Sequence, residues 1–441
     1  MKKTLLTTAI ATLLAGPAMA QTASLDDIQK QISEMKAKNE RLEAEVEYLK
    51  ENAKAQRKDA ANEAVDVANL KTATSKYTWN GDFRWRDEQI STAPNDDLSE
   101  HTRGRDRIRV RFGVQAKVND TITAKLQLAT NGGSSTAPGN DPRSTNQTLG
   151  EGWTRKGIAV DQAYVDWKPS KYFGLTLGKT PIPWVKTNSF FFDNDITPEG
   201  AHAKFNYGNF FAGAYYDWLN ERYNNDTATT NGIRSDSKLV GAQVGLAQPI
   251  GNNKLTVAIG YFDVTNVKNE LVASNSTFFG GSANGNTTVG GALVSGFEMW
   301  EGLAIFDFKA GPFPMSVFAD YLQNKDAVNN PVANKKLDNA LSFGVTFNKA
   351  SAPKSWEVGL IYQKTEKDSQ FGPFVDSDFG NGVTDADGYA IKAAFVPATN
   401  WTLNGTYFIN KLNNDGVAHA AVANTQDLAY KRLQLDLNYK F

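Results

Sequence analysis

The chain has 441 residues, a formal net charge of −1, no cysteine and a mean hydropathy of −0.44. This charge balance excludes the strongly basic surface that is typical of nucleic-acid-binding proteins. The absence of cysteine excludes disulfides and thiolate metal sites, and it is compatible with an exported chain. No uninterrupted apolar run of about twenty residues follows the N-terminus, so the sequence predicts no transmembrane helix.

The first twenty residues have the composition of a secretory signal peptide. Two lysines precede an apolar stretch, residues 4–14, and an Ala-Met-Ala pattern ends at Ala20. We therefore expect residues 1–20 to be removed on export, with a mature chain that begins near Gln21.

A seven-residue repeat predicts a long helix over the next part of the chain, and we assign residues 21–74 to this helix and its linker. The residues of the repeat are Leu25, Ile28, Ile32, Met35, Asn39, Leu42, Val46 and Leu49. Such a seam is typical of a coiled coil, and a polar residue within it is typical of positions that fix the register of parallel chains. The alternative is a single amphipathic helix that lies on its own barrel.

From Tyr77 onward, apolar and polar residues alternate, as in strands with one apolar face. About sixteen such segments follow, joined by links that are alternately short and long. An even strand number with this alternation is typical of a bacterial outer-membrane barrel, in which only every second residue faces lipid. The sequence therefore predicts an all-β transmembrane barrel of about 16 antiparallel strands over residues 75–441, with outer-membrane lipid as its surroundings.

The last strand shows the alternation most clearly. Leucines at 433, 435 and 437 and aromatic residues at 439 and 441 share one face, and polar residues occupy the other. Taken alone, this segment also fits a soluble β-sandwich. Its terminal aromatic residue resembles the C-terminal strand of Gram-negative outer-membrane barrels.

A motif in the middle of the chain resembles a known family. It comprises Val165 to Pro169, Leu175 to Trp184 and Asp193 to Gly200. The pattern is similar to the Gram-negative "putative porin" family and, more distantly, to the phosphate-selective porins, although Trp184 stands where a Phe is usual. The resemblance implies a trimeric channel and does not fix the solute.

Basic residues concentrate on the inward phase of the first strands, and we expect them to line the pore. They are Arg84, Arg86, Arg107, Arg109, Arg111, Lys117 and Lys125. Like charges on adjacent strands destabilise a sheet, so acids must compensate them, and Asp82, Asp106 and Glu88 are candidates. The alternative is a solvated lumen in which charges are balanced locally.

The third long loop, about residues 181–200, carries Asp193, Asp195 and Glu199 and an aromatic run at 190–192. The resemblance implies that this loop folds into the lumen and forms a constriction. The aromatic side chains would hold it on the wall, with the acids facing the arginines. The alternative is an ordinary external loop.

A second acidic segment, from Asp376 to Asp387, is rich in glycine. Its spacing breaks the pattern of calcium-binding loops, so we expect a solvated acidic loop and no metal site. No catalytic motif, phosphate-binding loop or dinucleotide fingerprint occurs, so we expect neither an enzyme nor a cofactor.

The sequence favours a porin in the outer membrane of a Gram-negative bacterium, a homotrimer that passes small hydrophilic solutes and ions with a weak preference for anions. The alternative is a structural anchor, in which a plugged barrel holds a periplasmic coiled coil that tethers the membrane to the cell wall.

Overall fold

The computed structural model describes residues 25–93, 103–131, 141–188, 190–222, 235–274, 278–412 and 428–441. The signal peptide expected over residues 1–20 lies outside the described residues. The chain divides into two compact units, with the boundary after Ser75.

The first unit is a single helix, α1 (Leu25–Thr74), of 50 residues. At 1.5 Å per residue it is about 75 Å long. Asp26 and Asp27 in its first turn and Lys71 in its last complement the helix dipole. All eight residues of the seven-residue repeat are exposed, so this unit by itself leaves the seam uncovered. No helix among the described residues is long and apolar enough to cross a membrane.

The second unit is built from strands. Within the described residues they are, in chain order, β1 (Tyr77–Ala93), β2 (Arg103–Lys117), β3 (Ile122–Thr130), β4 (Gln147–Thr148), β5 (Ile158–Trp167), β6 (Phe173–Lys179), β7 (Glu199–Tyr207), β8 (Phe210–Asn220), β9 (Ser237–Ile250), β10 (Asn253–Thr265), β11 (Thr288–Val289), β12 (Ala292–Leu293), β13 (Phe297–Ala310), β14 (Phe313–Asn324), β15 (Asn339–Asn348), β16 (Trp356–Thr365), β17 (Ala386–Phe395), β18 (Trp401–Leu412) and β19 (Leu428–Lys440).

Sixteen of these strands, all except the two-residue strands β4, β11 and β12, form the wall of a closed antiparallel barrel. Each wall strand pairs with the next along the chain, and β1 pairs with β19 from Asp82–Lys440 to Ala93–Ala429. The predicted sixteen-stranded barrel is confirmed. The links alternate between short turns, such as residues 208–209, and long segments, such as residues 266–296, as the sequence predicts.

The polarity of the two faces of the wall is the reverse of that in a soluble protein, because apolar side chains face outward and polar side chains face inward. On β19, Leu435 faces outward and is exposed, while Arg432, Gln434 and Asn438 face inward and are buried. The same alternation holds on β1, where Trp85 is exposed and Arg86 is buried. An apolar exterior around a polar interior is typical of an outer-membrane barrel. The soluble sandwich is thereby excluded.

The junction between β1 and β19 ends at Phe441. The Phe441 and Gly81 backbones exchange two hydrogen bonds, with N–O distances of 2.9 and 3.1 Å. The Phe441 ring lies over Gly81, and a Cβ at that position would come within 2.4 Å of the ring and 2.6 Å of the Arg111 carbonyl oxygen. An aromatic ring that covers a glycine on a neighbouring strand is a common means of fixing register. Gly81 therefore makes room for the terminal aromatic residue.

We expect Gly81→Ala to destabilise the closed barrel by about 1–3 kcal/mol, because the added methyl group overpacks against the ring and the backbone. The measurement is the temperature at which the compact form unfolds on semi-native electrophoresis. Gly302→Ala is the matched control, since a Cβ at Gly302 meets nothing within 4 Å. Equal unfolding temperatures for the two variants would contradict this account of the junction between β1 and β19.

Candidate functional site in the barrel interior

The segment between β6 and β7, residues 180–198, crosses the interior of the barrel. Its polar contacts with inward-facing wall side chains include, in chain order, the Val185 backbone with Gln243 on β9 (2.8 Å), Thr187 with Asp320 on β14 (2.6 Å) and Asn188 with Ser342 on β15 (3.0 Å). These strands lie successively farther around the wall from β6. The segment therefore lies inside the barrel, and we call residues 180–198 the crossing loop.

Aromatic side chains hold the crossing loop on the wall, as the sequence suggests. The Phe190 ring stacks on Phe379 at a centroid distance of 4.9 Å and contacts Phe408 of β18. Trp184 and Phe192 pack on Phe262 of β10 at 4.9 and 5.2 Å. All these rings are buried. The loop is thus fixed at both ends of its path.

A second segment also lies inside the barrel, and this corrects the sequence interpretation. The sequence predicts a solvated acidic loop from Asp376 to Asp387, yet Asp376 and Asp385 are buried. Most of this segment belongs to the β16–β17 connection, residues 366–385. Its backbone pairs with the crossing loop through Asp193 N to Phe374 O (2.9 Å) and Asp376 N to Phe190 O (3.2 Å). We call residues 366–385 the inner loop. Among the described residues, no group of three acidic or histidine side chains is placed to hold a metal ion.

The predicted arginines are brought together on the wall. Arg84 lies directly opposite Arg109, and Arg86 lies opposite Arg107, across the β1–β2 pair. Two adjacent rows of opposed like charges would destabilise the sheet without compensation. Compensation comes from both wall strands and loops.

Seven guanidinium groups and five carboxylates lie together at this wall, and we call them the arginine cluster. They form two groups of ion pairs. The larger group pairs Arg84 with Asp436 (3.7 Å), Arg86 with Asp436 (2.6 Å), Asp378 (3.1 Å) and Glu88 (3.4 Å), Arg105 with Glu88, Arg107 with Glu88 (3.7 Å), and Arg432 with Glu88 (2.6 Å) and Asp378 (2.7 Å). The smaller group pairs Arg109 with Asp82 (2.8 Å) and Asp195 (3.9 Å), and Arg111 with Asp82 (2.7 Å) and Asp195 (4.0 Å). The cluster retains two more positive than negative charges.

The acids of the crossing loop do not all face the arginines. Only Asp195 reaches them. Asp193 instead accepts a hydrogen bond from the Ser377 backbone of the inner loop (2.8 Å). Glu199 begins β7, is largely exposed and pairs with Lys179 (2.7 Å). The expectation that all three acids oppose the arginines is wrong for these two residues, because the loop backbone turns their side chains elsewhere.

Two predicted lysines also lie apart from the arginine cluster. Lys117 is at the turn end of β2, is exposed and pairs with Asp120 of the same turn (2.8 Å). Lys125 faces inward on β3 but makes no ion pair among the described residues. The alternation in the sequence predicted which face of the wall these side chains occupy. Lys117 is separated from the arginines because it lies at the turn end of its strand.

Sequence reasoning missed Arg105, Arg432, Asp378 and Asp436. Arg432 and Asp436 occupy the polar face of the last strand. The β1–β19 pairing of a closed barrel places Asp436 opposite Arg86 and Arg432 opposite Ile90, two residues from Glu88. No pattern in the sequence predicts that Asp378 lies beside the arginines, because only the fold of the inner loop brings it to the wall.

Two acids lie on the other side of the barrel. Glu301 on β13 and Asp320 on β14 face inward and are buried. Strand β13 is eight strands from β2 around the sixteen-stranded ring, and therefore diametrically opposite. Lys186 of the crossing loop interacts with Glu301 electrostatically. The interior thus has a cationic wall and an acidic wall, with the crossing loop between them.

Two cavities flank the first part of the crossing loop. Ile182 and Trp184 line a cavity of about 770 Å³, and Pro183 and Val185 line a second of about 370 Å³. Because successive residues face opposite cavities, this extended stretch forms the partition between them.

A buried hydrogen-bonded chain lies at the root of the crossing loop. The Thr180 hydroxyl is 3.1 Å from His202 Nδ1, and His202 Nε2 is 2.7 Å from an Asp217 carboxylate oxygen. All three residues are almost fully buried. This chain ties the start of the loop to β7 and β8, and it was not foreseen from the sequence.

The contact between the two interior loops has unusual acid–base properties. Burial raises the pKa of Asp193 well above its usual range, and Asp376 adds to the effect. Burial and Asp378 raise the pKa of Asp376. Although burial opposes it, Arg432 and Arg86 hold the pKa of Asp378 far below its usual range. Burial lowers the pKa of Lys186 to about 8.

These shifts predict that the loops dock more tightly as pH falls from 7.5 to 4.5. A carboxyl whose pKa is raised in the docked state favours docking below its ordinary pKa, and the contribution is lost as pH rises through the raised value. Through most of this window Lys186 is charged, because its pKa of about 8 lies above it, and Asp378 stays ionised, so the two raised carboxyls dominate. Hydrogen-exchange protection factors of residues 190–193 should change by up to about tenfold per pH unit for each proton bound.

Asp193→Asn should weaken this pH dependence and raise the protection at pH 7.5, because the variant removes a buried charge while keeping the shape. Asp120→Asn, in an exposed turn, should keep the wild-type slope. An unchanged slope in the Asp193 variant would show that this carboxyl does not control docking.

A comparison with one solved structure supports the architecture. The high-pH structure of OprB from Pseudomonas putida superimposes with a TM-score of 0.54 at 13% identity, over 85% of this chain and 97% of that one. The loop L8 deletion mutant of OmpT, an outer membrane protein of Vibrio cholerae, gives a TM-score of 0.44 at 13% identity, over 83% and 100%. A trimer form of OmpT gives 0.43 at 13% identity, over 83% and 99%. At these identities the likeness to OprB is one of fold.

No curated protein sequence matches the chain significantly. The family model described as "Putative porin" matches residues 37–290 and 284–441, which is most of the chain. The chain therefore belongs to this family of outer-membrane β-barrels.

Proposed function

We propose that the protein is a passive diffusion channel for small hydrophilic solutes and ions, with a weak preference for anions. The observation that supports this most strongly is the polar interior, where charged side chains of the wall, among them Asp161 of β5 and Lys204 of β7, line the two cavities on either side of the crossing loop. A barrel that served only as an anchor would not need charged side chains on its inner face. Strict phosphate specificity would need several free cations at one site, whereas most of these arginines are paired.

The anion preference follows from the charge of the arginine cluster. Seven arginines face five carboxylates, and the excess positive charge acts in a region of low polarisability, where electrostatic interactions are stronger than in water. Arg84 and Arg111 keep 18% and 27% of their side-chain surface exposed, more than Arg86 or Arg109. Passing anions would meet these two groups first.

The acidic wall opposes this preference and adds a second property. Glu301 and Asp320 face the arginine cluster across the diameter, so a field runs across the interior. Such a field orients polar solutes and hinders apolar ones. Because the acids are buried and near Lys186, their effect on passing ions is smaller than that of the exposed arginines.

One observation favours the alternative of a structural anchor. The crossing and inner loops pack with the wall into two apolar clusters inside the barrel, which narrows the interior. A barrel plugged in this way would hold α1 at the membrane without conducting. Stepwise conductance in a planar bilayer separates the two functions, since a plugged barrel gives no steps.

We also propose that the protein is a homotrimer in the Gram-negative outer membrane, partly held by the seam of α1, with its short turns and α1 in the periplasm. The uncovered seam supports self-association, because apolar side chains in water favour a partner helix. A closed ring of copies is the usual outcome of identical contacts.

The channel prediction concerns selectivity. Replacing Arg84, Arg109 and Arg111 by Ser should shift the reversal potential across a salt gradient toward cations and widen the pore, because positive charge and side-chain volume are removed. Asp195→Asn should shift it toward anions. Lys117→Ser, at the exposed turn end, is the control and should have a smaller effect. If conductance steps are present and neither set of variants changes them, the arginine cluster does not line the path.

The oligomer prediction concerns α1. Replacing Ile32 and Met35 by Asp should lower the dissociation temperature of the trimer while leaving the barrel folded, because two charges enter the apolar seam. The matched control replaces Ser33 and Ala37, which lie on the outer face of the helix away from the seam, by Asp. Native mass measurement of the intact protein reports the copy number, and a wild-type protein that is only monomeric would exclude the trimer.

A further inference from the structure

The charge of the barrel is unevenly distributed between its two ends. We call the end that carries the short turns the turn end, and we define it as the residues within four positions of a short turn, with Lys76 before β1 and Lys440 at the end of β19. The ranges are 114–125, 164–176, 204–213, 247–256, 307–316, 345–359 and 392–404. The turn end contains twelve lysines, no arginine and four carboxylates. Because the whole chain has a net charge of −1, this positive excess is local.

Few of these lysines are neutralised by carboxylates. Among the described residues, two of them form an ion pair within 4 Å, Lys117 with Asp120 (2.8 Å) and Lys168 with Asp166 (2.6 Å). The other two carboxylates of the turn end, Asp307 and Glu357, pair with no lysine in the described part of the chain. Ten lysines at this end therefore keep a positive charge that no ion pair compensates.

The lysines that lie on strands follow the inward phase of the wall. Lys204 shares its face of β7 with the buried His202, and Lys254 shares its face of β10 with the buried Thr256. Neighbouring strands are about 4.8 Å apart, which is less than the Debye length of about 10 Å at 0.1 M salt, so the fields of these lysines add. The positive charge of the turn end thus acts on the lumen and not on the lipid.

Two of the unpaired lysines line the smaller of the two cavities beside the crossing loop. They are Lys204 and Lys254, and Asp307 is the single carboxylate among the described residues of the lining. Asp307 lies directly opposite Lys254 in the β10–β13 register, yet their charged groups are not within ion-pair distance. Asn206 and Thr256 add neutral hydrogen-bond donors to the same cavity. Two free ammonium groups with neutral donors form a lining that suits an anion.

The larger cavity, on the other side of the crossing loop, has the opposite charge. Its charged lining residues are Asp141, Asp161, Asp195, Glu199, Asp217 and Lys179. An anion that enters from the turn end meets lysines before it reaches the crossing loop, whereas an anion that enters from the long-loop end passes these carboxylates first. The two approaches to the crossing loop are therefore electrostatically different.

We propose that the smaller cavity and its lysines bind small multivalent anions, such as polycarboxylates and phosphates, and that these anions reach the site from the turn end. This inference rests on the proposed channel and gives it a sidedness that a weak anion preference does not contain. Electrostatic attraction grows with the charge of the solute, so a trivalent anion is held more strongly than chloride. Bound beside the crossing loop, it obstructs the current of smaller ions.

Side-dependent block in a planar bilayer tests the proposal, with citrate as the probe. A biotin on Ala352→Cys, in an exposed short turn of a chain without cysteine, identifies the turn end when streptavidin is added to one chamber. In 0.1 M KCl, the half-blocking concentration of citrate should be at least about threefold lower from the turn end than from the other end. In 1 M KCl, where the Debye length is about 3 Å, this difference should disappear.

Two variants should change the block in opposite directions. Lys204→Gln combined with Lys254→Gln should raise the half-blocking concentration from the turn end by at least about threefold, and Asp307→Asn should lower it. The matched control, Lys325→Gln combined with Lys364→Gln, removes two exposed lysines at the long-loop end and should leave the block unchanged. Conductance steps in 1 M KCl show that each variant has inserted as a folded barrel.

The outcomes separate this inference from the proposed function. Conductance with equal block from both ends, or a block that the variants at Lys204, Lys254 and Asp307 leave unchanged, would overturn the anion site and leave the channel in place. A wild-type protein that gives no conductance steps would overturn the proposed channel, and the sided site with it.

Discussion

The structure depends on one constraint, which is that every backbone amide and carbonyl within a membrane needs a hydrogen-bond partner. A sheet satisfies this only if its first and last strands pair, and here β1 and β19 do so over twelve residue pairs. The terminal Phe441 extends that pairing by two further hydrogen bonds to Gly81. Closure in turn defines an interior that must be filled by polar side chains, loops and water.

The second constraint is the cost of bringing charges together in that interior. Guanidinium groups on adjacent strands repel one another, and burial removes much of the water that would screen them. This positive charge is compensated by Asp82, Glu88 and Asp436 of the wall and by Asp378 of the inner loop. The same pairing that stabilises the cluster limits its attraction for passing anions, which is why a weak preference is the more consistent proposal.

The interior loops connect this electrostatic arrangement to the fold. The crossing loop carries Lys186 toward the acidic wall and Asp195 toward the arginines, and the inner loop binds its middle through backbone hydrogen bonds. Because the crossing loop leaves the wall between β6 and β7, the wall is low at the same place. The same excursion leaves the second edge of residues 158–162 on β5 without a strand partner in the described part of the chain.

The sequence by itself determined the barrel, its strand number and the inward face of the arginines. These follow from local rules, since a period of two in polarity fixes which side chains face lipid, and the alternation of link lengths fixes the antiparallel order. The tertiary structure alone decided that the segment around Asp376 lies inside the barrel, that Asp193 binds the inner loop and that Glu199 stays at the rim. Loop residues have no such period, and their positions depend on contacts between segments almost two hundred residues apart, such as Asp193 with Ser377. Pairing between the two ends of the chain likewise placed Arg432 and Asp436 in the cluster, because the register of β1 on β19 is a property of the closed ring and of neither strand alone.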